Sequence, residues 1–201
     1  MTAYGEPALI LASASPRRAE LLAGLGLAFQ VVPSDFSERH EGRPRDPRRL
    51  VEALSLGKAR EVAERLGAGL VLGADTVVIL SGKTLEKPAD AVEAERMLKL
   101  LSGRWHDVYT GVALVRAPAG PIRVGHVRTR VKFRRLAPSE ISAYVKTGEP
   151  MDKAGAYGIQ GLGATLVERV EGCYTNVVGL PLAKLVTMLR EFGVTVPRRE
   201  A

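Results

Sequence analysis

The chain has 201 residues, 46% hydrophobic and 25% charged, the balance of a folded globular protein long enough to bury a sizeable core. No apolar run approaches the roughly 20 residues of a membrane span, and Met1 to Pro7 lacks the basic and apolar segments of a secretory signal. Cys173 is the only cysteine, which excludes an internal disulfide; the expectation is one domain over residues 1–201, in the cytoplasm and off the membrane. The formal charge of +7 suits nucleic acid, an acidic surface or phosphorylated small molecules, or is simply an arginine-rich surface.

Taken in chain order, Ala8 to Ala12 reads as a short buried strand. Ser15-Pro16 starts a helix, Ser as the cap and Pro in the first turn, with Leu21, Leu22 and Leu25 on one face and Gly26 closing it. Phe29 to Val32 is a second strand, and the polar stretch Pro33 to Arg45 a loop. Asp46-Pro47 repeats the cap-plus-proline start for a helix carrying Leu50, Val51, Leu54, Val62 and Leu66 before Gly67. Leu70 to Leu80 is strand-like but expected to break at Gly73-Ala74-Asp75-Thr76, and Ser81-Gly82 reads as a turn. Asp90 with Glu93 forms a capping-box pattern ahead of Met97, Leu98 and Leu101. Val108 to Val115 and Ile122 to Phe133 flank a turn at Pro118 to Pro121 and read as a long hairpin, with a bulge expected near Gly125. Pro138 to Lys146 is a short helix, Glu149 to Gly163 a glycine-rich loop, Thr165 to Val170 a strand and Pro181 to Phe192 the last helix; Pro197-Arg198-Arg199 reads as a frayed tail. The fold class is α/β, a mixed twisted sheet flanked by helices, since a long hairpin argues against a purely parallel sheet.

The chemistry concentrates in a few places. In Ser13-Ala14-Ser15-Pro16-Arg17-Arg18, a helix start offers unpaired amides, two hydroxyls and two guanidinium forks, the parts of a phosphate site. Cations in a first turn oppose the helix dipole, which a merely well-capped helix leaves unexplained. Asp75 interrupts an apolar strand; a buried carboxylate is costly unless paired or bound to a cation. It could orient a water or hold a divalent metal, or it could be satisfied by backbone amides at a strand bend. Lys87, in a short loop soon after that strand, falls within reach of such a site, Lys58 lies in the second helix between Gly57 and Ala59, and either could be an ordinary solvated lysine; Glu38 gains meaning only in company. Asp152 to Gly161 is dense in glycine and lets backbone approach a ligand, with Tyr157 and Gln160 able to read a base. That loop follows no strand directly, so it is not a dinucleotide fingerprint. Zinc spacing among His40, His106 and His126, a complete Gly-x-x-x-x-Gly-Lys-Ser/Thr Walker A motif and a Gly-x-Ser-x-Gly elbow are all absent from the sequence.

Five segments in order carry a resemblance: Leu9 to Arg18, Leu72 to Val78, Glu86-Lys87-Pro88, Asp152 to Gly161, and Val178 to Leu182. Together they resemble the Maf-like nucleotide pyrophosphatases across nearly the whole chain. The resemblance implies a fold related to the inosine triphosphatases, two lobes with a cleft, and often a homodimer. It implies hydrolysis of a nucleoside triphosphate between the α and β phosphates with a divalent metal, Mg2+ or Mn2+. Asp75 would activate water; Arg17, Thr76 and Gln160 would set substrate preference; Ser13, Arg18, Lys58 and Lys87 would bind phosphate. Glu38 would assist at the metal or the base. The ending Tyr157-Gly158-Ile159-Gln160-Gly161 looks like the branch that prefers dTTP and UTP. The competing readings are the same reaction on 7-methyl-GTP or a deaminated purine, a nucleic-acid-binding regulator, and a nucleotide sensor without turnover. For the regulator, aromatics at 5% and scattered argue against a stacking surface.

Overall fold

The computed structural model describes residues 9–37 and 45–196. Its elements are β1 (Leu9–Leu11), α1 (Pro16–Ala23), β2 (Phe29–Val31), α2 (Pro47–Leu66), β3 (Gly69–Leu80), β4 (Lys83–Leu85), α3 (Ala91–Leu101), β5 (Trp105–Ala117), β6 (Ile122–Phe133), α4 (Pro138–Lys146), β7 (Val167–Glu171), α5 (Tyr174–Val178) and α6 (Leu182–Glu191). The strands form one mixed sheet in the order β2-β1-β3-β5-β6-β7, with β4 paired to β3. β1 runs parallel to β2 and β3, whereas β4 is antiparallel to β3 and β7 to β6. The mixed sheet with flanking helices is the expected class.

Contacts divide the described residues into two compact units, each assembled from separated segments: those within 9–75, 111–126 and 179–196 in the first, and 76–110 and 127–178 in the second. In the first unit the alternation along β1 and β3 assigns each side of the sheet its helices. Leu9, Leu11, Leu70 and Leu72 pack with Leu22 of α1 and with Leu185 and Leu189 of α6, while Ile10 and Val71 pack with Ala59, Val62 and Ala63 of α2. α2 starts as expected: Asp46 Oδ1 accepts from Arg48 N at 2.9 Å, and Gly67 ends it in the left-handed region at φ 67°.

β3 is unbroken from Gly69 to Leu80, which corrects the expected interruption. Gly73 is there for a different reason. A Cβ on it would lie 2.1 Å from the Ser55 carbonyl oxygen and 2.9 Å from Ala59 N, so only glycine lets the α2 backbone come this close to β3. Gly111 on the neighbouring β5 does the same, its notional Cβ 2.1 Å from the Val51 carbonyl oxygen.

The second unit buries Val78, Leu98, Leu101, Phe133, Ile141 and Tyr157 in one core. Phe133, His106 and Tyr157 meet edge to face, with ring centroids 4.7 to 5.3 Å apart. The glycine-rich stretch is a series of short 3-10 turns over Glu149–Asp152, Ala154–Ala156 and Gly161–Leu166. Two short elements, β4 and α5, were not expected from the pattern. The described register shift lies between Lys132 and Phe133, where β6 pairs with β7, further along than the bulge expected near Gly125. Two caps differ in detail from expectation. Ser15 makes no side-chain cap on α1; Ser13 Oγ accepts from Ser15 N at 3.2 Å instead. At α3, Asp90 Oδ1 accepts from Glu93 N at 2.8 Å, but the Glu93 carboxylate accepts from Ala89 N, one residue before the cap.

Candidate active site

Two groups of candidate residues lie in the first unit. Because Gly73 and Asp75 sit two apart on β3, both side-chain positions face α2, and the close approach at Gly73 brings the helix within reach of the carboxylate. Lys58 Nζ donates to Asp75 Oδ1 at 2.6 Å, with the two side chains only 13% and 9% exposed. Asp75 is therefore paired with a cation, not with backbone amides at a bend. A buried pair of this kind is poor value for stability alone, because desolvating both charges offsets most of their attraction. It leaves a carboxylate held by one oxygen beside an ammonium that can favour a polyanion.

The second group gathers at the start of α1. Arg18 donates from Nη1 to Ser13 Oγ at 3.1 Å and from Nε to the Gly179 carbonyl at 2.8 Å, while Ser13 itself is buried. Ser13 Oγ thus accepts from Ser15 N and from Arg18, and its own proton remains to be donated. Arg17 is half-buried one residue before. Ser13 and Arg18 are brought together as expected, although two of the Arg18 nitrogens serve to fix the guanidinium in place.

The second unit holds the rest. Thr76 Oγ1 lies 2.9 Å from Thr110 Oγ1, and Thr110 donates to the Asn176 carbonyl at 2.9 Å. Lys87 is exposed, in a loop whose Glu86 carbonyl accepts from Gly155 N at 3.1 Å. That bond joins the Lys87 loop to the glycine-rich turns. Gln160 is half-buried, followed by Gly161 at φ 64°. Glu149 holds this stretch from beneath: it accepts from Tyr144 Oη at 2.9 Å, Leu162 N at 3.1 Å and Gly163 N at 3.0 Å, and Tyr144 Oη accepts from Gly158 N at 3.2 Å. Burial works to raise the Glu149 carboxyl, but the amides, the phenol and nearby Lys153 outweigh it and hold the group below its ordinary value.

Tyr157 is not available to read a base. It is 5% exposed, and its hydroxyl is 2.8 Å from His106 Nε2. Burial pushes that phenol up and holds the His106 imidazole down at about 4, so His106 is neutral at pH 7. Its Nδ1 is buried and makes no hydrogen bond to the described residues. Glu38 and His40 lie outside the described residues, as does the Pro197 to Arg199 tail. Among the described residues no three His, Cys, Asp or Glu side chains cluster to hold a metal, and no helix is long and apolar enough to cross a membrane. Thr110, Asn176, Glu149 and Tyr144 are polar partners of the candidate residues that sequence reasoning missed.

The Maf-like protein family pattern matches residues 8–192. A dTTP/UTP pyrophosphatase from Moorella thermoacetica is 59% identical over 188 residues, covering 94% of this chain and 96% of that protein. Another dTTP/UTP pyrophosphatase, from Gloeobacter violaceus, is 54% identical over 184 residues, covering 92% and 95%. Among solved structures, a HAM1 protein from Coxiella burnetii is similar with a TM-score of 0.54 at 17% identity, covering 92% of this chain and 99% of that one. That likeness is one of fold, and it agrees with the expected α/β class. With nearly its full length matched, the chain belongs to the Maf-like family.

Proposed function

We propose that this protein is a nucleoside triphosphate pyrophosphatase that hydrolyses dTTP and UTP to the monophosphate and pyrophosphate. The observation that carries the reading is the buried Lys58–Asp75 pair at 2.6 Å, in a chain 59% identical to a dTTP/UTP pyrophosphatase. In the reaction a water oxygen bonds to the α-phosphorus, the bond from that phosphorus to the α–β bridging oxygen breaks, and pyrophosphate leaves with the electron pair. Asp75 orients the water and takes its proton; Lys58 fixes the carboxylate and offsets negative charge. Ser13, Arg18 and Lys87 hold phosphate oxygens, and Arg17, Thr76 and Gln160 set the preference among nucleotides.

A divalent cation, Mg2+ or Mn2+, belongs to this reading. Mg2+ commonly takes one or two carboxylates and completes its shell with water and substrate phosphate. Asp75 fits such a cation arriving with the triphosphate, whereas the described residues offer no resident cage. When bound, the cation would neutralise triphosphate charge and stabilise the departing pyrophosphate.

The test is a panel of triphosphates, including CTP, 7-methyl-GTP and dITP, assayed for pyrophosphate with and without Mg2+ or Mn2+. The reading expects dTTP and UTP to lead and a chelator to stop turnover. A purine triphosphate in the lead would overturn the substrate assignment. Tight, salt-sensitive binding to DNA with no nucleotide turnover would favour the regulator instead. The reading also takes the protein to be cytoplasmic and a homodimer, the latter checked by sedimentation.

A further inference from the structure

Thr110, Thr129 and Asn176 are all fully buried, and their hydrogen bonds fix the direction of every proton among them. A carbonyl oxygen can only accept, so the Thr129 hydroxyl proton goes to the Cys173 carbonyl at 3.1 Å. Thr129 Oγ1 then accepts from Asn176 Nδ2 at 3.0 Å, and Nδ2 spends its other proton on the Val108 carbonyl at 3.0 Å. The same logic applies one step closer to the candidate site. Thr110 donates its only hydroxyl proton to the Asn176 carbonyl at 2.9 Å, so in its 2.9 Å contact with Thr76 it must accept. The Thr76 hydroxyl proton is thereby committed to Thr110.

We propose that Thr110 is a positioning residue for substrate selection: by taking the Thr76 proton it makes Thr76 Oγ1 an acceptor toward the base, selecting a ring N–H donor. Uracil and thymine carry that proton on N3, whereas cytosine presents a lone pair there. An acceptor facing a lone pair is repelled, which a free-rotating hydroxyl would avoid by turning its proton toward the ligand. A buried chain of donors with one end at Thr76 is what removes that freedom. The inference rests on the proposed dTTP/UTP reading, in which Thr76 meets the base.

The experiment compares kcat/KM for UTP and CTP in the wild type, Thr110→Val and Thr110→Ser, with melting curves for each. Valine keeps the shape and deletes the acceptor, freeing the Thr76 hydroxyl to turn its proton toward cytosine, so the UTP-to-CTP ratio should fall roughly tenfold, mostly through a lower KM for CTP. Serine restores the hydroxyl and should restore the ratio, which a purely structural role would not require. With the wild type alone, 3-methyl-UTP, lacking the N3 proton, should fall well below UTP; equal turnover overturns the inference even if the valine variant does not fold. A folded Thr110→Val with an unchanged ratio overturns it as well. A wild type that handles UTP and CTP alike sinks the dTTP/UTP reading itself, and this inference with it.

Discussion

Gly73→Ala adds one methyl group and tests how the Lys58–Asp75 pair is assembled. Ordinary contact begins near 3.4 Å and the new Cβ would lie 2.1 Å from the Ser55 carbonyl oxygen, so the helix must retreat by about 1.3 Å. The obstructing atoms are Ser55 O and Ala59 N, backbone that cannot rotate aside. Overpacking of this kind costs about 1–3 kcal/mol, and in a chain of this length the melting temperature should drop by roughly 2–12 °C. Lys58 sits between those two contact points on α2, so the retreat lengthens its 2.6 Å bond to Asp75. A misplacement near 1 Å can cost on the order of 100-fold in rate, so kcat for UTP should fall by about 10- to 100-fold. Gly24→Ala is the control: its φ is −59° and its Cβ would come only to 3.3 Å of Leu21 O, so stability and rate should barely move. The assay is a thermal melt with steady-state kinetics on all three proteins. A Gly73→Ala protein with wild-type melting and wild-type kcat would refute the view that glycine at this position sets the helix–strand distance at the site.

Three other outcomes are expected. Asp75→Asn should lower kcat by about 1,000-fold or more while the protein stays folded and melts a few degrees lower, because the amide oxygen still accepts from Lys58 but no longer carries its counter-charge; near-normal turnover would remove Asp75 from the chemistry. Gln160→Ala should erode the preference for UTP over CTP more than it lowers overall turnover, since the amide N–H can donate to O4, where cytosine carries an amino donor instead; an unchanged ratio of specificity constants would contradict this. For pH, burial sets His106 at about 4 in the folded protein against its ordinary 6.5, so the unfolded chain takes the proton first. The stability this group contributes is complete above pH 6.5 and is lost as pH falls toward 4, by roughly 3 kcal/mol over that window. Denaturant melts of wild type and His106→Gln between those pH values should therefore diverge; parallel curves would show that His106 does not govern the window.

The helix ends were legible because their signals are local. Asp46 and Asp90 cap their helices, Gly67 closes α2, and Pro138 to Lys146 forms α4 with the boundaries expected. Gly73 was misread because a glycine within a strand can mark a bend or a close backbone approach, and only the position of α2 decides between them. Three-residue β4 and five-residue α5 are too short to develop a periodicity. Asp75 stands out by its place in an apolar strand and Lys58 only through the family resemblance, but their bond shows in neither, since it depends on how the helix lies over the strand. Thr110 and Asn176 stand 34 residues from Thr76 and 66 from Thr110, on separate elements, and no local pattern links them. The sequence leaves Tyr157 open as a base reader because irregular turns have no period to reveal which side chains point inward; its burial against Phe133 and His106 settles its place.

The most direct measurement follows the oxygen of the attacking water. Hydrolysis of UTP in 18O-labelled water, with products separated and analysed by mass, distinguishes attack at the α-phosphorus from attack at the γ-phosphorus. The account predicts UMP carrying one 18O and unlabelled pyrophosphate in equal amounts, a product pattern that Asp75→Asn abolishes. Labelled inorganic phosphate with UDP, or label in the pyrophosphate, would contradict it.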